Sequence, residues 1–259
     1  MQQLAKINQW LSGKRLGAEI GAFKSPLPGI SPIYIDKFPY FGNERCTADF
    51  EGEAIALPFK SNSLEYVASS HVLEHVANPI KALVEWHRVL RPGGIIYMVV
   101  PDRRYTWDRY RTPTPVDHFF QDFTTGTSAI DGTHIDEFVS NLDWSTYSPT
   151  TPSERVAVEK EALRNAYWSA VREGKEINIH FHVFEPENLR ALIESAGATP
   201  LVGVRWELVD LVEKFPAESP SGILAVIRVK KHFTDWLASL APLAEEREQT
   251  LLPTAKKFA

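Results

Sequence analysis

The chain of 259 residues is short of several things, and each shortage removes a class of explanation. Its single cysteine, Cys46, rules out an intrachain disulfide and any cysteine-rich zinc site, and fits a reducing compartment. Positive charge is not in excess: 28 Lys and Arg against 33 Asp and Glu leave a net charge of -5. Phosphate backbones are met by clustered Lys and Arg, so no nucleic-acid partner is expected. No run approaches the roughly 20 apolar residues of a membrane helix, and the opening MQQLAKINQWLSGKR lacks the apolar core of a secretory leader. A cytoplasmic protein without membrane contact is the expectation. Repeats and low-complexity tracts are missing as well.

What remains is an ordinary globular composition, 44% hydrophobic and 24% charged, in a chain long enough for one elaborated α/β domain. Its organising stretch is residues 63–101, SLEYVASSHVLEHVANPIKALVEWHRVLRPGGIIYMVVP. A short β-rich run over 65–70 is followed by residues 79–90, where Ile80, Leu83, Val84, Trp86, Val89 and Leu90 recur near helical spacing. Arg91-Pro92-Gly93-Gly94 stops that helix, and the continuous apolar run 95–100 has the pattern of a strand buried on both faces of a parallel sheet. The unit is βαβ, with residues 69–75 at the carboxyl end of its first strand, where open α/β sheets bind ligands.

LPFKSNSLEYV, SSHVLEHV and RVLRPGG, in that order, resemble the signatures around strands three to five of class I S-adenosylmethionine (SAM)-dependent methyltransferases, the type 11 small-molecule branch in particular. The likeness covers residues 15–101 and, more loosely, 180–229. It implies an α/β fold with a Rossmann-like seven-stranded sheet, mostly parallel, ending in a C-terminal antiparallel hairpin. It also implies SAM as cofactor, with S-adenosylhomocysteine as product.

The cofactor residues implied by the family pattern start at the first strand, 16–20. There the family's acidic-x-Gly-x-Gly-x-Gly turn is reduced to Glu19, Gly21 and Ala22, with Phe23 and Ser25 replacing two glycines. Asp36, at the tip of the second strand, can accept both hydroxyls of a ribose. Glu53 and Ala54, in GEAIALPF, stand where the family recognises the adenine edge, with Asp49 as the competing carboxylate. Ser70 and His71 close the set beside the sulfonium. His71-Val72-Leu73-Glu74-His75 also spells H-x-x-E-H, which on a helix would pair two histidines for a metal. Here it straddles a strand end, and no metal is expected from it.

Residues 102–178 form an insertion at the active-site edge, expected to be a substrate lid. DRRYTWDRYRTPTPVDHFF concentrates charge and aromatics, and His118, Asp122, His134, Asp136 and Glu137 follow. Three uses compete: a general base, a divalent-cation site, or hydrogen-bonded bracing. His118 and His134 are the first choices for the base, with Asp102 behind them. Arg104, Tyr105, Trp107 and Arg111 are the substrate-binding candidates, the arginines (with Arg103 and Arg109) suiting an anionic group. Residues 153–173 read as the lid's helix with Ser153 as its cap, and 177–184 as an extended run placing His180 and His182 on one face.

A helix up to residue 12, carrying Leu4, Ile7, Trp10 and Leu11 on one side, should cover the sheet. A helix over 189–196 is closed by Gly197, the hairpin strands are 201–211 and 222–229, and residues 232–259 form a helical tail. The domain is therefore 1–231. The acceptor is expected to be a hydroxyl of a small polar molecule, a sugar or surface glycan. A different, metal-assisted group transfer on the same fold, or a non-catalytic binding protein, stays open, as does the oligomeric state.

Overall fold

The structure, a computed structural model, describes residues 1–41 and 43–231, so the tail read at 232–259 lies outside the described residues. Seven strands make the main sheet: β1 Gly17–Ile20, β2 Ile33–Asp36, β3 Phe50–Glu51, β4 Leu64–Ser70, β5 Leu90–Pro101, β6 Trp206–Phe215 and β7 Gly222–Val229. Their spatial order is β3-β2-β1-β4-β5-β7-β6. The first five pair in parallel, whereas β7 runs antiparallel to both β5 and β6. This is the sheet expected from the sequence.

The central strands are apolar because both faces are covered. On one face lie α2 (Pro79–Val89), with Ile80, Leu83, Trp86 and Val89 inward, and α7 (Pro186–Ala198), with Leu189, Leu192 and Ile193 inward. Asn78 fixes the start of α2 by accepting the Lys81 amide at 3.0 Å, ahead of Pro79 at the first turn. On the other face α1 (Gln2–Leu11) lays Ile7 and Leu11 against Tyr66, Tyr97 and Leu224. Leu4, read as part of that stripe, is 42% exposed.

Several local readings change. Helix α7 runs through Gly197 to Ala198, because a Cβ at Gly197 would stand 2.5 Å from the Trp206 indole nitrogen. That glycine admits the tryptophan, whose Nε1 donates to Ile193 O at 2.7 Å, and does not end the helix. The hairpin strand accordingly begins at Trp206, beyond a turn at Gly203, and extends to Phe215. Residues 177–184 are extended but join no ladder beyond a bridge between Asp102 and Phe184. The H-x-x-E-H segment is a single 3-10 turn, Leu73–His75, and Ser153 opens a short turn ahead of α6 (Val156–Arg172) without capping it. A two-stranded ribbon, Tyr40–Phe41 with Glu44–Arg45, lies between β2 and β3 in the chain.

The insertion builds a core of its own. Helices α3 (Val116–Thr125), α4 (Ile135–Asn141), α5 (Trp144–Tyr147) and α6 precede the extended return. Ile135, Phe138, Val139, Leu142 and Trp144 pack with Ile177, Ile179 and Phe181 of that return.

Candidate active site

A cavity of about 440 Å³ opens beyond the carboxyl ends of β1, β2 and β4, at the point where the chain's crossovers switch direction. That volume lies within the usual size range of small-molecule sites. Apolar wall comes from Ile20, Ile55, Val72 and Val76, and polar wall from Asp36, Lys37, Glu53, His71 and Asn78. Gly21 adopts φ +68, and a Cβ there would meet Val72 Cγ2 at 2.5 Å, so the turn stays open only with glycine. Phe23, with φ +47, lies in the wall and leaves the hollow open.

Of the implied cofactor residues, Gly21, Phe23, Asp36, Glu53, Ala54 and His71 line this cavity. Asp36 steadies the next turn by accepting the Phe38 amide at 3.1 Å. Asp49, the rival of Glu53, instead accepts the Tyr34 amide at 2.9 Å on the sheet edge. Glu19 is buried beneath the turn, where both carboxylate oxygens accept the Leu27 amide (2.9 and 3.2 Å). Burial pushes its pKa up to about 7, against the weaker lowering effect of that hydrogen bond. Ala22 and Ser70 adjoin the cavity in the chain but are absent from its wall.

At the end of β4, His71 is held at φ +56, a left-handed conformation rare without glycine. Its Nδ1 stands 3.6 Å from Oε1 of Glu74, which is fully buried. The neighbouring Glu74 carboxylate raises the His71 pKa above the ordinary imidazole value, outweighing burial. Burial alone would raise Glu74, but His71, His75 and His180 together hold it below the usual carboxylate range. His75, also in the wall, is lowered, chiefly by burial. A half-exposed imidazole beside a buried carboxylate can take a proton from a group bound in the cavity.

The lid reaches the cavity through residues the sequence gave no reason to choose. Thr127, Ser128 and Ala129 after α3, and Glu176, Ile177 and Asn178 on the return, complete the wall. A backbone bond from Ile177 to Ala129 O (2.8 Å) joins the two segments. Lys37 bridges sheet and lid, 2.6 Å from Glu176 and 3.4 Å from Glu53. A Thr-Ser-Ala tripeptide carries no motif, so only the folded chain brings it there.

The lid residues singled out from the sequence lie elsewhere. Asp102 is fully buried and bound to Arg104 (2.6 Å). Arg111 is 1% exposed, its guanidinium held by Asp108 (2.8 Å), Glu137 (2.5 Å) and the His180 carbonyl (2.8 Å). Arg103 pairs with Glu185 and Arg109 with Asp143, each at 2.6 Å. All four arginines thus already hold a carboxylate of this chain, which leaves none dedicated to an anionic ligand. Trp107 stacks near His180, with centroids 5.1 Å apart, while Tyr105 is 47% exposed. His118 and His134 meet each other inside the lid, Nε2 to Nε2 at 2.9 Å, and neither lines the cavity.

Comparison with known proteins agrees with this frame. Residues 37–98 match the family model described as a methyltransferase domain. Over 57 residues the chain is 44% identical to an uncharacterized 37.1 kDa transposon protein of Streptomyces fradiae, covering 22% of this chain and 15% of that protein. Over 45 residues it is 47% identical to a demethylmenaquinone methyltransferase of Staphylococcus epidermidis, covering 17% and 19%. The chain therefore spans less than a fifth of the length of these relatives. Among solved structures, a SAM-dependent methyltransferase of Methanosarcina mazei aligns with a TM-score of 0.47 at 15% identity, covering 88% of this chain and 98% of the other. One from Mesorhizobium loti aligns with a TM-score of 0.42 at 15% identity, covering 83% and 91%.

The matched segment spans β4, α2 and most of β5, the same unit that anchors the strand order. Residues 37–98 thus match a methyltransferase domain, and the group that the sequence resemblance implies for this cavity is SAM. Its residues fit that group: an open glycine turn, a carboxylate at the tip of β2 for a ribose, and an apolar slot closed by the lid.

Proposed function

We propose that this protein transfers the methyl group of SAM to a hydroxyl of a small polar molecule, a sugar or a glycan component being the acceptor class. SAM supplies an electrophilic methyl on a sulfonium, so the protein's part is to orient the acceptor and to take its proton. Under this reading Asp36 holds the ribose and the Ile20, Ile55 and Val72 surfaces flank the adenine. The proton acceptor is His71, oriented by Glu74. The base role read for His118 and His134 passes to His71 because His71 lines the cavity and they do not.

The observation that carries the proposal is His71, backed by a buried carboxylate and placed at the mouth of a cofactor-sized cavity. The internal pairing of Arg103, Arg104, Arg109 and Arg111 favours a neutral acceptor over a phosphorylated one. Thr127, Ser128 and Asn178 on the lid side supply donors and acceptors suited to hydroxyl groups.

The test has two stages. Calorimetry with S-adenosylhomocysteine should show saturable binding in the wild type and in His71→Ala, and absence of binding would sink the cofactor reading itself. Transfer of labelled methyl from SAM to a panel of sugars and of amines should then be read against pH. Because the neutral imidazole is the active form and its pKa is raised, turnover should rise through a pH above about 6.5. Glu74→Gln should shift that rise downward, and His71→Ala should cost roughly 10²-fold or more in turnover. Transfer confined to amines, or a pH profile unmoved in Glu74→Gln, would overturn the hydroxyl and proton-acceptor assignments.

A further inference from the structure

Away from the cavity, four side chains converge inside the lid. His118 and Asp122 project from α3, His134 precedes α4, and His182 comes from the extended return. The three histidine Nε2 atoms stand 3.4, 3.4 and 3.5 Å from one and the same oxygen, Asp122 Oδ2. Those separations exceed a hydrogen bond of about 2.7–3.2 Å, and Oδ2 is buried with no hydrogen-bond partner. A buried carboxylate oxygen left without a donor is costly, and three imidazoles surround it without bonding it.

The distances have a simple common cause. Ligands about 2.05 Å from a shared tetrahedral centre lie about 3.3 Å from one another, and zinc binds imidazole nitrogen and carboxylate oxygen at about 2.0–2.2 Å. Three edges match that figure, and the fourth measured edge, His118 to His134, is 2.9 Å. All four ligand atoms fall within 4.8 Å of one another. His134 further offers its Nδ1 to the Thr133 hydroxyl at 2.9 Å, the outer hydrogen bond that fixes the ring of a metal-bound histidine. His182 Nε2 also lies 3.3 Å from Ala77 O, which places the centre against the base of the sheet's crossover.

We infer that His118, Asp122, His134 and His182 form a zinc site that staples α3 and the start of α4 to the extended return. Three imidazoles with one carboxylate exclude magnesium and calcium, which take oxygen ligands, and four protein ligands leave no open position for substrate. The site is therefore structural. Of the lid's ionisable residues, Asp136 and Glu137 are not ligands, being paired with Arg164 and Arg111. The mechanical consequence reaches the cavity: the Thr127 amide bonds Asp122 O at 3.0 Å, and Asn78 Nδ2 bonds the same carbonyl at 2.9 Å. Fixing Asp122 thus fixes the start of the Thr127-Ser128-Ala129 wall.

The experiment uses the full chain, stripped with a chelator and then offered zinc or cobalt, with metal analysis, visible absorption and thermal melting as readouts. Wild type should retain stoichiometric zinc through dialysis, show the intense visible bands of four-coordinate cobalt, and melt several degrees higher with zinc than without. Asp122→Asn, nearly isosteric, and His182→Ala should each lose at least about tenfold in zinc affinity and lose the melting shift. A stripped wild type that takes up no zinc, or only weakly absorbing six-coordinate cobalt, overturns the site without need of any variant. Equal zinc retention by both variants overturns it as well. So does loss of zinc in His180→Ala alone, which would assign the ion to the second cluster, Glu74, His75 and His180. None of these readouts depends on SAM.

Discussion

The sheet and the lid bury their interiors by opposite means. Around β4 and β5 the interior is apolar, and its geometry follows from backbone ladders and from side chains such as Ile80, Leu83 and Trp86 that need no particular partner. The lid also has an apolar cluster, but it encloses Arg111, Asp108, Asp122, His134, His180 and His182. Each of these is tolerable only opposite one specific group. Burial pushes Asp108 upward in pKa, yet His180 and Arg111 outweigh it and hold the carboxyl below its usual range. The lesson is that loss of one apolar side chain in the sheet should leave a cavity, whereas loss of one polar partner in the lid should leave a stranded charge.

The largest expected effect breaks the lid side of that contrast. Arg111→Ala leaves the buried Asp108 with His180 as its one remaining charged partner and should cost about 3 kcal/mol or more in urea unfolding. Hydrogen exchange should rise first in α4 and the return segment. Leu83→Ala, on the sheet side, should cost about 3 kcal/mol, spread over the whole sheet rather than one segment. If the two variants lose protection in the same regions, lid and sheet are one cooperative unit and the contrast fails.

The smallest effect is a difference between two pH slopes. The folded pKa of Glu19, about 7, exceeds its unfolded value of 4.5, so the folded chain holds the proton over that interval while the unfolded chain has released it. Its contribution to stability is present below pH 4.5 and is lost as pH rises to 7, by less than about 1.4 kcal/mol per pH unit. Glu19→Gln should remove this component. Melting curves of wild type and variant between those pH values should diverge, with the wild type losing relatively more as pH rises.

Much of the sheet was legible because its signals are local. Alternation of an apolar helix stripe with continuous apolar runs fixes β4-α2-β5, and acidic residues at strand tips mark where Asp36 and Glu53 meet the cavity. Where the reading slipped, a contact distant in sequence was responsible. Gly197 looks like a helix stop until Trp206 is seen against it, and DRRYTWDRYR looks like an exposed basic grip until Asp143, Glu137 and Glu185 are found holding it.

The sequence by itself determined the β4-α2-β5 unit, since a pattern of period two or near 3.6 is written within a few neighbouring residues, while the rest of the sheet was implied by the resemblance. It also carried the match to a methyltransferase domain, in one contiguous segment, residues 37–98. Only the tertiary structure decided which ionisable groups meet: His71 with Glu74 at the cavity, and His118, Asp122, His134 and His182 around a single point in the lid. Such meetings depend on where irregular segments come to rest, and that is set by the packing of Phe138, Phe181 and their neighbours rather than by any spacing along the chain.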